Sequence, residues 1–142
     1  MTPSVTGPVY ELRPIGRVRS PLVDRADAPK QGDEGAPPAE LVFADECVAG
    51  LRDIRVGDTL LVLTWLDRAS RDVLAVHPRD DPGRPLVGVF STRSADRPNP
   101  IGLHRVVVQA IDGATITVHA LEALDGTPII DLKPTLGGID DR

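Results

Sequence analysis

The sequence predicts a mostly β fold: a small β-barrel or strongly curved sheet with one short helix. Three observations carry this. The apolar fraction of 41% is built almost entirely from Val, Leu, Ile and Ala, with only Tyr10, Phe43, Trp65 and Phe90 as aromatics, and β-branched cores favour strands. Gly (13) and Pro (14) are frequent enough to keep turns close together and helices short. The alternation of strands with long amphipathic helices that a doubly wound sheet requires is missing.

Taken in order, residues 1–9 read as a flexible tail and residues 10–142 as a single domain, a size that can bury a core. Residues 11–19 contain Leu12, Ile15 and Val18. With Pro14 and Pro21 nearby they predict a short edge strand. Residues 23–39 are polar, with Gly32, Gly35, Pro37 and Pro38, and a loop that long in a small domain is functional or disordered. Residues 40–43 suit a strand. Cys47, Val48 and Leu51 have helical spacing and place the helix at 45–52, with Cys47 as a small buried apolar residue. Residues 59–66 are nearly all apolar, the pattern of a strand buried on both faces, which puts Trp65 in the core. Strands at 72–77 and 86–91 flank a turn at 78–85. Residues 103–111 and 115–121 flank Asp112-Gly113, a strong hairpin signal. A second Asp-Gly, Asp125-Gly126, leads into a strand at 127–132. The total is seven or eight strands without internal repeats.

Composition narrows the function. No apolar run approaches the ~20 residues of a membrane-spanning helix, and residues 1–8 lack the features of a secretory leader. The single Cys47 allows no internal disulfide; the expectation is a cytoplasmic protein without membrane partners. A net charge of −5 argues against a whole-surface nucleic-acid binder while allowing a local basic patch. His77, His104 and His119 have no ligand-like spacing, so no metal site is expected.

Residues 88–103, Gly-Val-Phe-Ser-Thr-Arg-Ser-Ala-Asp-Arg-Pro-Asn-Pro-Ile-Gly-Leu, stand apart. Pro98 and Pro100 fix their own φ and push Arg97 and Asn99 into extended conformations. Four successive residues are thus stiff before any tertiary contact forms. Gly102 permits close approach by a ligand or another strand. Arg93 and Arg97 supply guanidinium forks suited to carboxylate or phosphate, and Ser94 and Asn99 add polar groups. A rigid structural turn is the competing reading, but the convergence of these groups favours a binding loop.

This loop, together with Pro14-Ile-Gly-Arg-Val-Arg-Ser-Pro21 and Asp125-Gly-Thr-Pro-Ile-Ile-Asp-Leu-Lys-Pro134, resembles the TsaA-like family, whose characterised members are tRNA methyltransferases of the TrmO type. The resemblance covers residues 10–134. It implies a non-Rossmann, β-barrel-like homodimer that uses S-adenosylmethionine to methylate N6 of threonylcarbamoyl-adenosine at position 37 of tRNA. The residues agree on one point: no Gly-x-Gly-x-x-Gly follows a strand here. Carried over by motif, cofactor contacts fall on Pro29, Lys30 and Gln31; on Asp67 and Arg68; on Arg93; on Leu103; and on Asp125, Gly126, Thr127 and Pro128. Arg97 and Asn99 are expected at the substrate. The chain departs from the family at Asp67, where a His is common, and after Pro134, where a tyrosine-containing run is replaced by Thr135-Leu-Gly-Gly-Ile-Asp140. A small-molecule acceptor and a non-catalytic binding module are the alternatives.

Asp131 and Lys133 alternate with Ile130 and Leu132, so both leave their strand on one face. They are the candidate catalytic pair, orienting the substrate, against the alternative of a surface ion pair worth under ~1 kcal/mol. His119, Arg17 and Arg19 read as solvated.

Overall fold

The structure is a computed structural model and describes residues 5–23 and 36–136. Its centre is a closed six-stranded antiparallel barrel. In chain order the strands are β1 (Gly16–Arg19), β2 (Ala39–Phe43), β3 (Thr59–Trp65), β4 (Ala75–Val76), β5 (Val87–Gly88), β6 (Ile101–Asp112), β7 (Thr115–Val118) and β8 (Pro128–Pro134). Around the barrel the order is β1-β2-β7-β6-β3-β8, and β8 returns to β1 through Gly16 opposite Ile129. Closure satisfies strand edges without a partner chain.

Alternation fills the interior. Val18, Leu41, Val62, Val106, Val108, Ile116, Val118 and Ile129 are buried, each within 2% of full exclusion from solvent. Burying one such aliphatic side chain contributes about 1.5–3 kcal/mol.

Several sequence expectations are corrected. β1 is limited to four residues and has neighbours on both sides, so it is no edge strand. Residues 45–51 form a 3-10 helix without a fully buried residue, and Cys47 is half-buried. Seven residues of that tighter coil cannot turn one apolar stripe inward as an α-helix does. The strands expected at 72–77 and 86–91 shrink to β4 and β5, which pair only with each other, outside the barrel.

The apolar run 59–66 is not buried on both faces. Leu60, Val62 and Thr64 point into the barrel, while Leu61, Leu63 and Trp65 are half-buried on its outer wall. The hairpin at Asp112-Gly113 forms as expected, with Asp112 opposite Thr115. His119 is not simply solvated: its Nδ1 accepts the Val107 amide at 3.1 Å.

Candidate functional site

The rigid loop is anchored at its far end by the barrel. Gly102 lies opposite Thr64, and a Cβ there would stand 2.4 Å from Thr64 Oγ1 and 2.7 Å from His104 Nε2. The missing side chain of Gly102 therefore makes room for neighbouring groups of the barrel. Those groups form a chain that runs from the buried Thr64 and His104 to the half-buried Glu122. Thr64 Oγ1 is 2.7 Å from His104 Nε2, and His104 Nδ1 is 2.5 Å from Glu122 Oε1. Buried polar groups are costly unless paired, and here each finds a partner.

The near side of the loop is tied to the turn that follows β3. Asp96 Oδ1 accepts the Ser70 amide, the Arg97 amide donates to Ser70 O, and Arg71 donates to Pro98 O and to Asn99 Oδ1. The Arg71 guanidinium also lies 5.1 Å from the centre of the Trp65 ring, a cation–π arrangement. Trp65 is thus a half-buried platform on the outer wall and not the core residue expected. Arg97 folds back on its own loop, its Nη2 donating to the carbonyls of Val89 and Thr92, with Nε buried and unpartnered among the described residues.

The same turn reaches the third motif from its other side. Arg68 donates to Val23 O, and the neighbouring Leu22 O accepts the Asp125 amide at 2.7 Å. Asp125 Oδ1 takes the Ser20 amide and Gly126 O takes Arg17 Nη1, so Arg17 is solvated as expected and also braces this turn. Gly126 has φ of +83°, a left-handed conformation that glycine adopts without strain. Thr127 and Pro128 are buried beneath this turn. Arg19 is likewise committed, pairing across β1–β2 with Glu40 at 2.9 Å. That charge-assisted hydrogen bond holds the Glu40 carboxyl below its ordinary range.

Asp67, Arg68, Arg93, Asn99, Asp125 and Gly126 are exposed, and the turn after β3 links the loop to the third motif. Leu103, 42% exposed, and Asp131 flank Leu63 on the two neighbouring strands, making one row across β6-β3-β8. Asp131 and Lys133 do share a face, with Nζ 3.3 Å from Oδ2 and both side chains about half exposed. Pro29, Lys30 and Gln31 lie outside the described residues. Among the described residues no group of His, Cys, Asp and Glu could hold a metal ion, and no helix is long and apolar enough to cross a membrane.

Sequence reading missed Arg71 and the Thr64–His104–Glu122 chain. Arg71 carries no motif of its own. An alternation argument could have placed Thr64 and His104 inward with Val62 and Val106.

The described residues thus form a closed, non-Rossmann barrel with exposed Arg and Asp side chains on the loops that join its strands. Residues 17–141 match the family model of the tRNA-methyltransferase O N-terminal domain, and the chain belongs to that family. An S-adenosyl-L-methionine-binding protein of Archaeoglobus fulgidus is 44% identical over 130 residues, 91% of each chain. A probable S-adenosyl-L-methionine-binding protein of the same organism is 45% identical over 132 residues, 93% of this chain and 36% of that one. The TrmO crystal structure of Pseudomonas aeruginosa superposes with a TM-score of 0.70 at 26% identity, covering 94% of this chain and 59% of that one. A further TrmO crystal structure gives a TM-score of 0.72 at 28% identity. This chain therefore spans about a third of one relative and about three-fifths of these crystallised chains.

Proposed function

We propose that this chain is an S-adenosylmethionine-dependent methyltransferase that methylates N6 of threonylcarbamoyl-adenosine at position 37 of tRNA. The supporting observation is that the turn at 67–71 is hydrogen-bonded on one side to the Arg97–Asn99 loop and on the other, through Leu22 and Val23, to the Asp125–Gly126 turn. Segments far apart in the chain are thus joined by one hydrogen-bond network.

The donor set fits the cofactor. Exposed carboxylates of Asp67 and Asp125 suit its cationic and hydroxyl groups, and the exposed guanidinium of Arg93 suits its carboxylate. Pro29, Lys30, Gln31, Arg68, Leu103, Gly126, Thr127 and Pro128 complete the proposed contacts. S-adenosylmethionine supplies a methyl carbon with its leaving group already attached. The chain's task is then to bind and align the two reactants, and alignment alone can supply much of the acceleration. Arg97 and Asn99 hold the acceptor, and the Asp131–Lys133 pair orients it.

The outer wall of β3 and β6 presents Leu61, Leu63, Ile101 and Leu103, half-buried or exposed. Such a wall suits a homodimer. A light-scattering mass of one chain across micromolar concentrations overturns that assembly.

A second reading, methylation of a small-molecule acceptor, draws on the basic groups. Arg17, Arg19, Arg68, Arg71, Arg97 and Lys133 all bond within the chain. Among the described residues these six cations reach phosphate, the main source of RNA affinity, only in competition with their bonds inside the chain.

Calorimetry with S-adenosylmethionine and S-adenosylhomocysteine tests the cofactor. Absence of binding to both at millimolar ligand overturns the enzyme reading in favour of an interaction module. Labelled cofactor with threonine tRNA bearing the unmethylated base, followed by nucleoside digestion, separates the two acceptors.

A further inference from the structure

We propose that Arg71 is a positioning residue that sets the hydrogen-bonding polarity of the acceptor subsite, so that Asn99 offers N–H donors to an acceptor-bearing edge of the substrate. This rests on the reading of Arg97 and Asn99 as substrate contacts.

The guanidinium has donors only. It is held through two nitrogens and over a ring: Nε donates to Pro98 O at 2.8 Å, Nη2 to Asn99 Oδ1 at 3.0 Å, and Cζ lies over the Trp65 ring. An amide rotated by half a turn would set NH2 against a guanidinium N–H, donor against donor. The Asn99 oxygen therefore faces Arg71, and both hydrogens of Nδ2 are directed away from it. Nor can the backbone readily turn the side chain elsewhere. Proline precedes and follows Asn99, and its carbonyl accepts the Ile101 amide at 2.7 Å.

Asn99 borders a depression of about 320 Å³, lined also by Val5, Phe90, Arg97, Pro98 and Ile101. Its walls are mainly apolar. Of its two polar side chains, Arg97 has no acceptor and already commits Nη2 to the loop carbonyls, and an Asn99 turned in this way offers only N–H donors. Such a surface takes a flat or apolar group carrying a carbonyl oxygen, carboxylate or ring nitrogen, and it rejects an edge that presents an amino group. A threonylcarbamoyl-adenosine has such acceptors in its ureido carbonyl and carboxylate. A site whose polar groups are left unpaired discriminates strongly between analogues, and Arg71 supplies that discrimination without touching the substrate.

The test follows the Asn99 side-chain NH2 resonances of 15N-labelled protein, saturated with S-adenosylhomocysteine, while threonylcarbamoyl-adenosine nucleoside is titrated. The expected result is a saturable downfield shift of the Asn99 NH2 protons. In Arg71→Ala that shift is lost or needs about tenfold more nucleoside, the size of one hydrogen bond. In Asn99→Asp, which replaces donors by acceptors, nucleoside binding is weakened at least as much, with the fold of both variants checked by circular dichroism and thermal midpoint. A parent that binds S-adenosylhomocysteine but shows no shift at Asn99 overturns the proposal alone. So does Asn99→Asp binding the nucleoside as the parent does. A parent that binds no S-adenosylhomocysteine overturns the functional reading and the proposal together.

Discussion

His104 Nε2 lies 2.7 Å from Thr64 Oγ1 in the barrel interior, and the space between their strands' backbones is open only because residue 102 is glycine. The polar chain and the loop motif are thereby one construction: Gly102 ends the rigid segment and also admits the groups that anchor it.

Gly102→Ala is accordingly expected to destabilise the fold. Its Cβ would meet two side chains already locked in a buried hydrogen-bonded chain, and overpacking of this kind costs about 1–3 kcal/mol. Urea denaturation should show a lower midpoint at an unchanged slope. An unaltered midpoint would mean the interior accommodates the methyl group.

His104→Leu removes the central member of the chain and strands Thr64 and Glu122. Leaving a buried polar group without a partner costs about 1–3 kcal/mol. The loss should be clearly smaller in the double variant His104→Leu/Thr64→Val than the sum of the two single losses, as for residues in contact. Additive losses in a denaturation cycle would contradict the coupling.

Arg93→Ala should weaken S-adenosylmethionine binding by about 10–100-fold, the value of one charge-assisted contact. Arg105→Ala, on the barrel strand beyond the loop, should have a much smaller effect. Calorimetry on the two variants and the parent distinguishes them; three equal affinities would move the cofactor site elsewhere.

The Arg19–Glu40 pair makes a prediction in pH. Its hydrogen bond lowers the Glu40 pKa in the folded state, so its contribution is present above the unfolded carboxyl pKa and fades as pH falls through the lower, folded value. NMR titration of Glu40 should give a midpoint below that in Arg19→Gln. Coincident curves would show the pair to be without effect.

For the acceptor, weak tRNA binding is expected from the isolated chain, since its net charge is −5 and it has four aromatic residues. Phosphate neutralisation and base stacking are the main resources for holding anticodon nucleotides. Efficient turnover of threonine tRNA by the purified protein would refute this.

What could be read from the chain alone is what short-range pattern encodes. Ile116 and Val118 alternate with Thr115 and Thr117 and enter the core as the period of two requires. Asp112-Gly113 turns a hairpin because that dipeptide tolerates the needed backbone, and Pro98-Asn99-Pro100 is stiff wherever it is placed. Pairing between distant residues has no such local signature. The run 59–66 is apolar on both faces in sequence, yet which face enters the barrel depends on β6 and β8 lying beside it. Arg71 acquires its part from Asn99, 28 positions away, and His104 from Thr64, 40 positions away. Closure of the barrel brings such partners within hydrogen-bond reach, because a long-range contact is a property of the assembled sheet and not of any window of residues.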